Sequence, residues 1–143
     1  LVMAAGGFAA EARRLPSTRD AIVVEYMPQL QLLALADAFV THGGANSTME
    51  AAAAGCPQLV VPIDVDQPLQ KFFVERAGVG TGLLPEHLTR DACAEALARL
   101  LAREWQASTL AVAESYRAHD GAANTARRIM SLAEGLPLQG GMA

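Results

Sequence analysis

The sequence predicts an α/β fold in which a parallel β-sheet is covered on both faces by helices. Short, continuous apolar segments rich in β-branched residues alternate with segments whose apolar residues recur at helical spacing. Strands that are apolar without alternation are buried on both faces, which is typical of parallel sheets. With 143 residues, 52% of them hydrophobic, the chain suits one domain or part of a larger one.

Five segments are predicted as strands, most of them ended by a glycine or a proline: 1–5, 21–24, 38–41, 59–61 and 78–83. Six helices are expected between and after them: about 29–36, 46–54, 68–77, 90–103, 104–119 and 122–134. Residues 8–20 are expected to be irregular. Gly55 fits the left-handed position after a helix, and Thr89 is a predicted N-cap.

Composition excludes several classes of function. A net charge of −4 argues against non-specific binding to nucleic acid or to anionic membranes. We expect no membrane span and no signal peptide, because no apolar run is long enough and no charged segment precedes one. Cys56 and Cys93 are far apart, so we expect both to be reduced and structural, in a cytoplasmic protein.

The segment Thr41–Glu50 carries the strongest indication of chemistry. It follows the third predicted strand and opens a helix, at the edge where open α/β sheets bind ligands. The adjacent glycines 43 and 44 allow close approach to the backbone, and the first helical turn offers free N–H groups to an anion. No lysine or arginine lies between Asp20 and Gln70, so this is not a P-loop; nor is it a Gly-x-Gly-x-x-Gly fingerprint.

Further polar and aromatic residues are expected at the same edge. Glu50 lies one turn into the helix, where its carboxylate suits two vicinal hydroxyls such as those of a ribose. Asp66 and Gln67, after the fourth strand, offer acceptors and donors to sugar hydroxyls. Tyr26, at the end of the second strand, suits stacking on a base.

Each of these residues also has a purely structural interpretation. Short polar residues such as Asn46 and Ser47 commonly cap helices. Asp66 followed by Gln67 is equally suited to cap the helix that starts near Pro68, and Tyr26 is as consistent with buried packing as with stacking. The three histidines show no ligand spacing, so no metal site is expected.

The ordered set of motifs resembles the two-domain GT-B glycosyltransferases, in their UDP-glycosyltransferase and macrolide glycosyltransferase branch. The matching motifs are Tyr26–Gln29, His42–Glu50, Gly55–Pro57 and Pro62–Gln67. The resemblance continues more weakly to residue 123 and covers most of the chain. It implies a Rossmann-like C-terminal domain that binds a nucleotide-sugar donor.

The resemblance also implies roles for individual residues. It assigns His42, Gly44, Asn46 and Ser47 to the diphosphate, Glu50, Gln29 and Tyr26 to the ribose and base, and Asp66 and Gln67 to the donor sugar. Plant members usually have tryptophan at the position of Tyr26, which weakens the stacking assignment there. No catalytic residue, cofactor or metal is expected in this chain, because the family's general base lies on the N-terminal, acceptor-binding domain.

We therefore expect residues 1–143 to be an N-terminally incomplete donor domain that lacks its first strand and helix. In a doubly wound sheet of order 3-2-1-4-5-6 that strand is central, so two inner edges would lack a partner unless copies exchange a strand. The expected function is the donor half of an inverting transfer of a hexose from a UDP- or dTDP-sugar to a small lipophilic acceptor. A non-catalytic nucleotide-sugar binding module and a GT-B epimerase are the alternatives.

Overall fold

The computed structural model describes residues 1–15 and 21–134, in which strands and helices alternate. The strands are β1 (Val2–Ala4), β2 (Ile22–Val24), β3 (Phe39–Thr41), β4 (Gln58–Val60) and β5 (Gly80–Gly82). The helices are α1 (Ala9–Ala12), α2 (Gln29–Leu33), α3 (Ala45–Ala54), α4 (Gln67–Arg76), α5 (Arg90–Leu101), α6 (Gln106–Ala118) and α7 (Gly121–Ala133). Short 3₁₀ turns occupy Gly6–Phe8 and Pro85–His87. The α/β class is confirmed.

The segment that was expected to be irregular begins with a helix. Residues 8–20 were expected to be irregular, but α1 forms at its beginning. Its four residues include three alanines, the best helix formers, and are too few to show a helical period in the sequence. The prediction for residues 16–20 lies outside the described residues.

The strands form two separate parallel sheets. β1 pairs with β2, and β3, β4 and β5 pair in that order. Among the described residues no strand joins β1 to β3. β1 and β3 are therefore edge strands of their sheets, and the outer edge of each has no strand partner among the described residues.

Hydrogen bonds show which backbone groups lie at these edges. On β1, the Leu1 carbonyl accepts from Ile22 N and Ala5 N donates to the Val24 carbonyl. Because bonding groups alternate along a parallel strand, the N–H and C=O groups of Val2 and Ala4 point away from β2.

The edge of β3 follows the same rule. Phe39 N donates to the Pro57 carbonyl and the Thr41 carbonyl accepts from Val61 N, so Val40 points its backbone groups away from β4.

The core surrounds β4, all of whose residues are buried. Leu59 packs against Ala96 and Leu100 of α5, whereas its neighbour Val60 packs against Val74 of α4 and Val79. Successive strand residues point to opposite faces, so these two clusters place helices on both sides of the larger sheet, as expected.

The expectation that residues 1–5 and 21–24 form buried strands is wrong. In β1, Val2 and Met3 are 41% and 39% exposed, and in β2 Ile22 is 59% exposed. β1 belongs to a sheet of two strands, which buries little surface compared with the central position of β4.

The ends of two helices are as predicted. Gly55 ends α3 with a left-handed φ of 74°, a conformation that glycine adopts without strain. The Thr89 side chain caps α5 by accepting from Ala92 N at 3.2 Å. None of the helices in the described ranges is long and apolar enough to cross a membrane.

Candidate functional site

The turn between β3 and α3 contains two glycines, and the first of them lies against the core. Gly43 has a φ of 91°, and a Cβ there would lie 2.6 Å from Val60 Cγ1, so a larger residue does not fit. The turn is held by Thr41, whose Oγ1 accepts from Gly43 N at 3.2 Å. Gly44 is the N-cap of α3 in an extended conformation. The chain thus passes directly from the end of β3 into a helix.

The N-terminus of α3 is open. No side chain caps it, and the first intrahelical bond runs from Thr48 N to the Gly44 carbonyl. The N–H groups of residues 45–47 therefore have no acceptor within the helix. Together with the helix dipole, they form a site that favours an anion.

His42 lies beside this helix end. A Cβ on Gly44 would be only 3.0 Å from His42 Nε2, so the imidazole ring lies against the glycine that starts α3. The His42 side chain is exposed, and within the described part of the chain no hydrogen bond holds it. It is available to a ligand.

Asn46 and Ser47 are not caps, so the structural interpretation of these residues is wrong. The Asn46 side chain is exposed, and Ser47 Oγ accepts from Gln29 Nε2 at 3.2 Å. Thr48, which follows, is buried and donates its hydroxyl to the Ala45 carbonyl at 2.9 Å. Asn46 and Ser47 therefore face outward from the helix end, whereas Thr48 does not.

Gln29 and Glu50 meet although they are far apart in the sequence. Gln29 Nε2 donates to Glu50 Oε2 at 2.6 Å, and both side chains are half-buried. Gln29 is the first residue of α2, which packs on α3 through Leu33 and Ala51. Core packing between the two helices therefore sets this polar contact.

A cavity of about 530 Å³ opens beside this pair. It is lined by the end of β1, the segment after β2 and the α3 carboxylate: Ala4, Glu25, Tyr26, Met27, Pro28, Gln29, Leu30, Gln31 and Glu50. Tyr26 is 84% exposed, which excludes the buried packing that the sequence allowed. The ring forms part of the cavity wall instead.

Asp66 and Gln67 lie in and after the loop that follows β4. Gln67 Oε1 accepts from Ile63 N at 2.7 Å and from Asp64 N at 2.9 Å, so its amide stabilises the loop. A Cβ on Gly43 would lie 3.7 Å from Gln67 Cβ, which places this loop next to the β3–α3 turn. The carbonyl side of the amide is occupied, and its Nε2 remains to donate.

Asp66 does not cap α4, although it is the N-cap residue by position. Its carboxylate is exposed and has one long contact, from Gln70 Nε2 at 3.4 Å. The capping interpretation of the sequence is therefore wrong for this side chain, and its oxygens are open to a ligand.

The segment that carries the candidate site, residues 21–70, has no cationic side chain other than histidine, because it contains no lysine or arginine. Lys71, which follows it, pairs with Glu75 at 2.9 Å. Glu25 and Glu50 add negative charge to the cavity wall. An anion at this edge is therefore attracted by backbone N–H groups, the helix dipole and neutral side chains.

Sequence reasoning missed part of this site. Glu25, Met27 and Gln31 line the cavity, and the only signal for them was their position next to Tyr26 and Gln29. The site residues that the sequence did predict all follow the carboxyl ends of β2, β3 and β4.

Comparison with known proteins identifies the family. The model of the "Erythromycin biosynthesis protein CIII-like, C-terminal domain" family matches residues 7–132. NDP-glycosyltransferase YjiC of Bacillus licheniformis is 42% identical over 73 residues, which cover 51% of this chain and 18% of that protein. The chain thus spans less than a fifth of the length of this relative.

Solved structures show the same fold. The glycotransferase of kitacinnamycin superposes with a TM-score of 0.79 at 29% identity, over 96% of this chain and 35% of that one. Glycosyltransferase VinC, in complex with DTDP, superposes with a TM-score of 0.79 at 26% identity, over 88% of this chain and 32% of that one. The chain therefore belongs to the erythromycin biosynthesis protein CIII-like C-terminal domain family, in the GT-B glycosyltransferases of natural-product biosynthesis.

Proposed function

We propose that this chain is the donor-binding part of an inverting glycosyltransferase. The complete enzyme transfers a hexose from a UDP- or dTDP-sugar to a hydroxyl group of a small lipophilic acceptor. The observation that carries the proposal is the cluster of Gln29, Ser47 and Glu50 beside the open N-terminus of α3. It provides donors for a diphosphate and an acceptor for ribose hydroxyls within two turns of one helix.

The diphosphate lies at the N-terminus of α3 in this proposal. Its oxygens accept from the backbone N–H groups of residues 45–47, from the side chains of Asn46 and Ser47, and from His42. When the bond from the sugar to the diphosphate breaks, negative charge grows on the departing phosphate oxygen. Fixed dipoles that already point at that oxygen stabilise the charge without reorganisation. No metal is needed for this role.

The nucleoside lies in the 530 Å³ cavity. Glu50 Oε1, which is free of the Gln29 contact, accepts from the ribose hydroxyls. The exposed ring of Tyr26 offers a face on which the base stacks. The complex of VinC with DTDP supports a thymidine nucleotide, and a uridine nucleotide presents the same ribose-linked diphosphate.

The donor sugar extends from the diphosphate towards the loop after β4. The Asp66 carboxylate accepts from sugar hydroxyls, and Gln67 Nε2 donates to a sugar oxygen. Gln67 serves only as a donor, because its carbonyl oxygen is engaged with Ile63 N and Asp64 N.

Inversion requires a base that removes the proton of the acceptor hydroxyl as it attacks the anomeric carbon from the opposite side. We assign this base and the acceptor site to residues outside 1–143, since the chain spans about a third of the solved structures that it matches. The same residues supply a strand that runs parallel to β1 and β3 and bonds to their unpaired edges.

Calorimetric titration of UDP and dTDP tests the site. We expect His42→Ala and Glu50→Ala each to weaken binding by about 10-fold or more, because each removes a hydrogen bond to a charged or polar ligand group. Glu95→Ala on α5 and His119→Ala at the C-cap of α6 are matched controls, and they should bind as the parent does. Equal affinity for all variants would refute the site assignment.

A further inference from the structure

We propose that Gln29 is a positioning residue that determines, at two subsites at once, whether the neighbouring side chain donates or accepts a hydrogen bond. It makes Glu50 an oriented acceptor for the ribose and Ser47 an oriented donor for the diphosphate. The inference rests on the proposed function and deepens it, since it assigns to one amide group the coupling between the two parts of the donor site.

The two contacts use both protons of a single amide nitrogen. Gln29 Nε2 donates to Glu50 Oε2 at 2.6 Å and to Ser47 Oγ at 3.2 Å. A primary amide has two N–H donors, and here each has an acceptor. The orientation of the amide is determined by chemistry, because an ionised carboxylate only accepts and would repel the amide oxygen.

The consequence for Ser47 follows from the direction of that bond. A hydroxyl group has one proton, and when its oxygen accepts from Gln29 the proton is free to be donated elsewhere. Ser47 is at the third position of α3, beside N–H groups that lack intrahelical acceptors. Its hydroxyl therefore donates in the region where phosphate oxygens need donors.

The consequence for Glu50 is the opposite, because Glu50 is held as an acceptor. Oε2 is held by a short, charge-assisted bond, which restricts the carboxylate and leaves Oε1 without a hydrogen bond in the described part of the chain, on a residue that lines the cavity. A ribose offers hydroxyl donors, so a fixed acceptor suits it. One residue thus presents a donor to the anionic end of the ligand and an acceptor to the ribose end.

Gln29 is well placed for this role because it belongs to a different element from its partners. It starts α2, and the packing of Leu33 against Ala51 and Cys56 holds α2 against α3. Loss of the amide would free Glu50 and Ser47 to adopt other rotamers without removing either group from the site. This distinguishes positioning from direct binding.

The first test requires no ligand. The side-chain amide protons of Gln29 should exchange with solvent more slowly than those of the exposed Gln106, and Glu50→Ala should reduce the difference by freeing the proton that Glu50 accepts, measured by ¹H–¹⁵N NMR. Equal exchange rates for Gln29 in the parent and in Glu50→Ala would overturn the inference.

The second test uses uridine and inorganic pyrophosphate as separate probes. Gln29→Ala should weaken the binding of both, by about 10-fold each, whereas Glu50→Ala should affect mainly uridine and Ser47→Ala mainly pyrophosphate. Gln106→Ala, at the first residue of α6, is the matched control and should affect neither. A Gln29→Ala variant that binds both probes as the parent does would overturn the inference.

A double-substitution cycle with uridine, which reports on the Glu50 subsite alone, separates positioning from a merely structural effect. If Gln29 acts on the ribose through Glu50, the double variant Gln29→Ala, Glu50→Ala should bind uridine about as weakly as Glu50→Ala alone. Independent effects would multiply, and that result would overturn the positioning role while leaving the proposed function intact. Absence of UDP and dTDP binding by the parent would instead overturn the proposed function, and the positioning role with it.

Discussion

Gly43 shows how a single residue joins the core to the site. Its φ of 91° is rarely adopted by residues with a side chain, and a Cβ would lie 2.6 Å from Val60 Cγ1 in the centre of the larger sheet. The same residue begins the turn that directs the N-terminus of α3. The position of the N–H groups at the start of α3, which we propose bind the diphosphate, therefore depends on a contact inside the core.

Gly43→Ala should destabilise the fold by about 2–3 kcal/mol, through backbone strain and overpacking against Val60. The free energy of unfolding in urea measures this. Gly7→Ala is the control, because a Cβ there meets nothing within 4 Å and the φ is not left-handed. A loss at Gly43 no larger than that at Gly7 would contradict the account.

Cys56 illustrates a structural cysteine. It is buried, its Sγ lies 3.6 Å from the Ala36 carbonyl, and burial, aided by the negative charge of Asp37, raises the pKa of the thiol to about 11. The neutral thiol is therefore favoured in the folded state, and the residue is unsuited to act as a nucleophile at neutral pH.

This raised pKa predicts a loss of stability in alkali. The unfolded thiol ionises near its ordinary value of 9.0 and the folded thiol near about 11, so the contribution is complete below pH 9 and is lost as pH rises to 11. The loss should reach about 2–3 kcal/mol. Unfolding measured at pH 8 and pH 11 should show it in the parent and not in Cys56→Ala; the same fall in both would contradict the assignment.

Among the elements, α3 carries most of the proposed donor site. Its C-terminal end is closed by Gly55 in the left-handed conformation, whereas its N-terminal end follows β3 with no side-chain cap. By contrast, α7 begins with Asp120, whose Oδ1 accepts from Ala123 N at 2.9 Å. A capped first turn has fewer free N–H groups with which to bind an anion. The N-termini of α3 and α7 can therefore be compared within one molecule.

An anion held by a helix N-terminus does not need a metal ion. We expect the affinity for dTDP to stay within about twofold when Mg²⁺ is added or EDTA removes divalent ions, because dipoles and N–H groups already supply the positive potential. Calorimetry in the two buffers measures this. A loss of binding in EDTA that Mg²⁺ restores would contradict the proposal.

At the scale of the whole molecule, the division into two parallel sheets is the most consequential feature. β1 and β3 each expose backbone groups on one edge, at Val2 and Ala4 and at Val40. Exposed strand edges pair readily with further strands. The proposed donor site lies across this division, since Ala4 at the end of β1 and Glu50 of α3 line one cavity.

The proposed additional strand predicts a difference in amide exchange. In residues 1–143 alone, Val40 N–H should exchange rapidly, whereas Thr41 N–H, which faces β4, should be protected. In a longer chain that contains the proposed strand both should be protected. Rapid exchange of Val40 in such a chain would exclude a strand at that edge, and protection that rises with the concentration of residues 1–143 alone would indicate strand exchange between copies.

Much of this architecture could be predicted because apolar strands and helical periods leave local signals, and the His42–Glu50 motif lies within one turn and one helix. The exposure of β1 could not be predicted, since an apolar run has the same pattern whether or not neighbouring elements cover it. The contact of Gln29 with Glu50 depends on how α2 packs against α3, which no local pattern records. Glu25 has no signal besides its neighbours.

The most direct test of the account is to follow the backbone amides of ¹⁵N-labelled protein by NMR while dTDP is added. We predict that the signals of Ala45, Asn46 and Ser47 move together with a single dissociation constant, while those of residues 121–123 at the start of α7 do not move. Unchanged signals for residues 45–47 at saturating dTDP, or equal shifts at both helix ends, would contradict the claim that α3 holds the donor diphosphate.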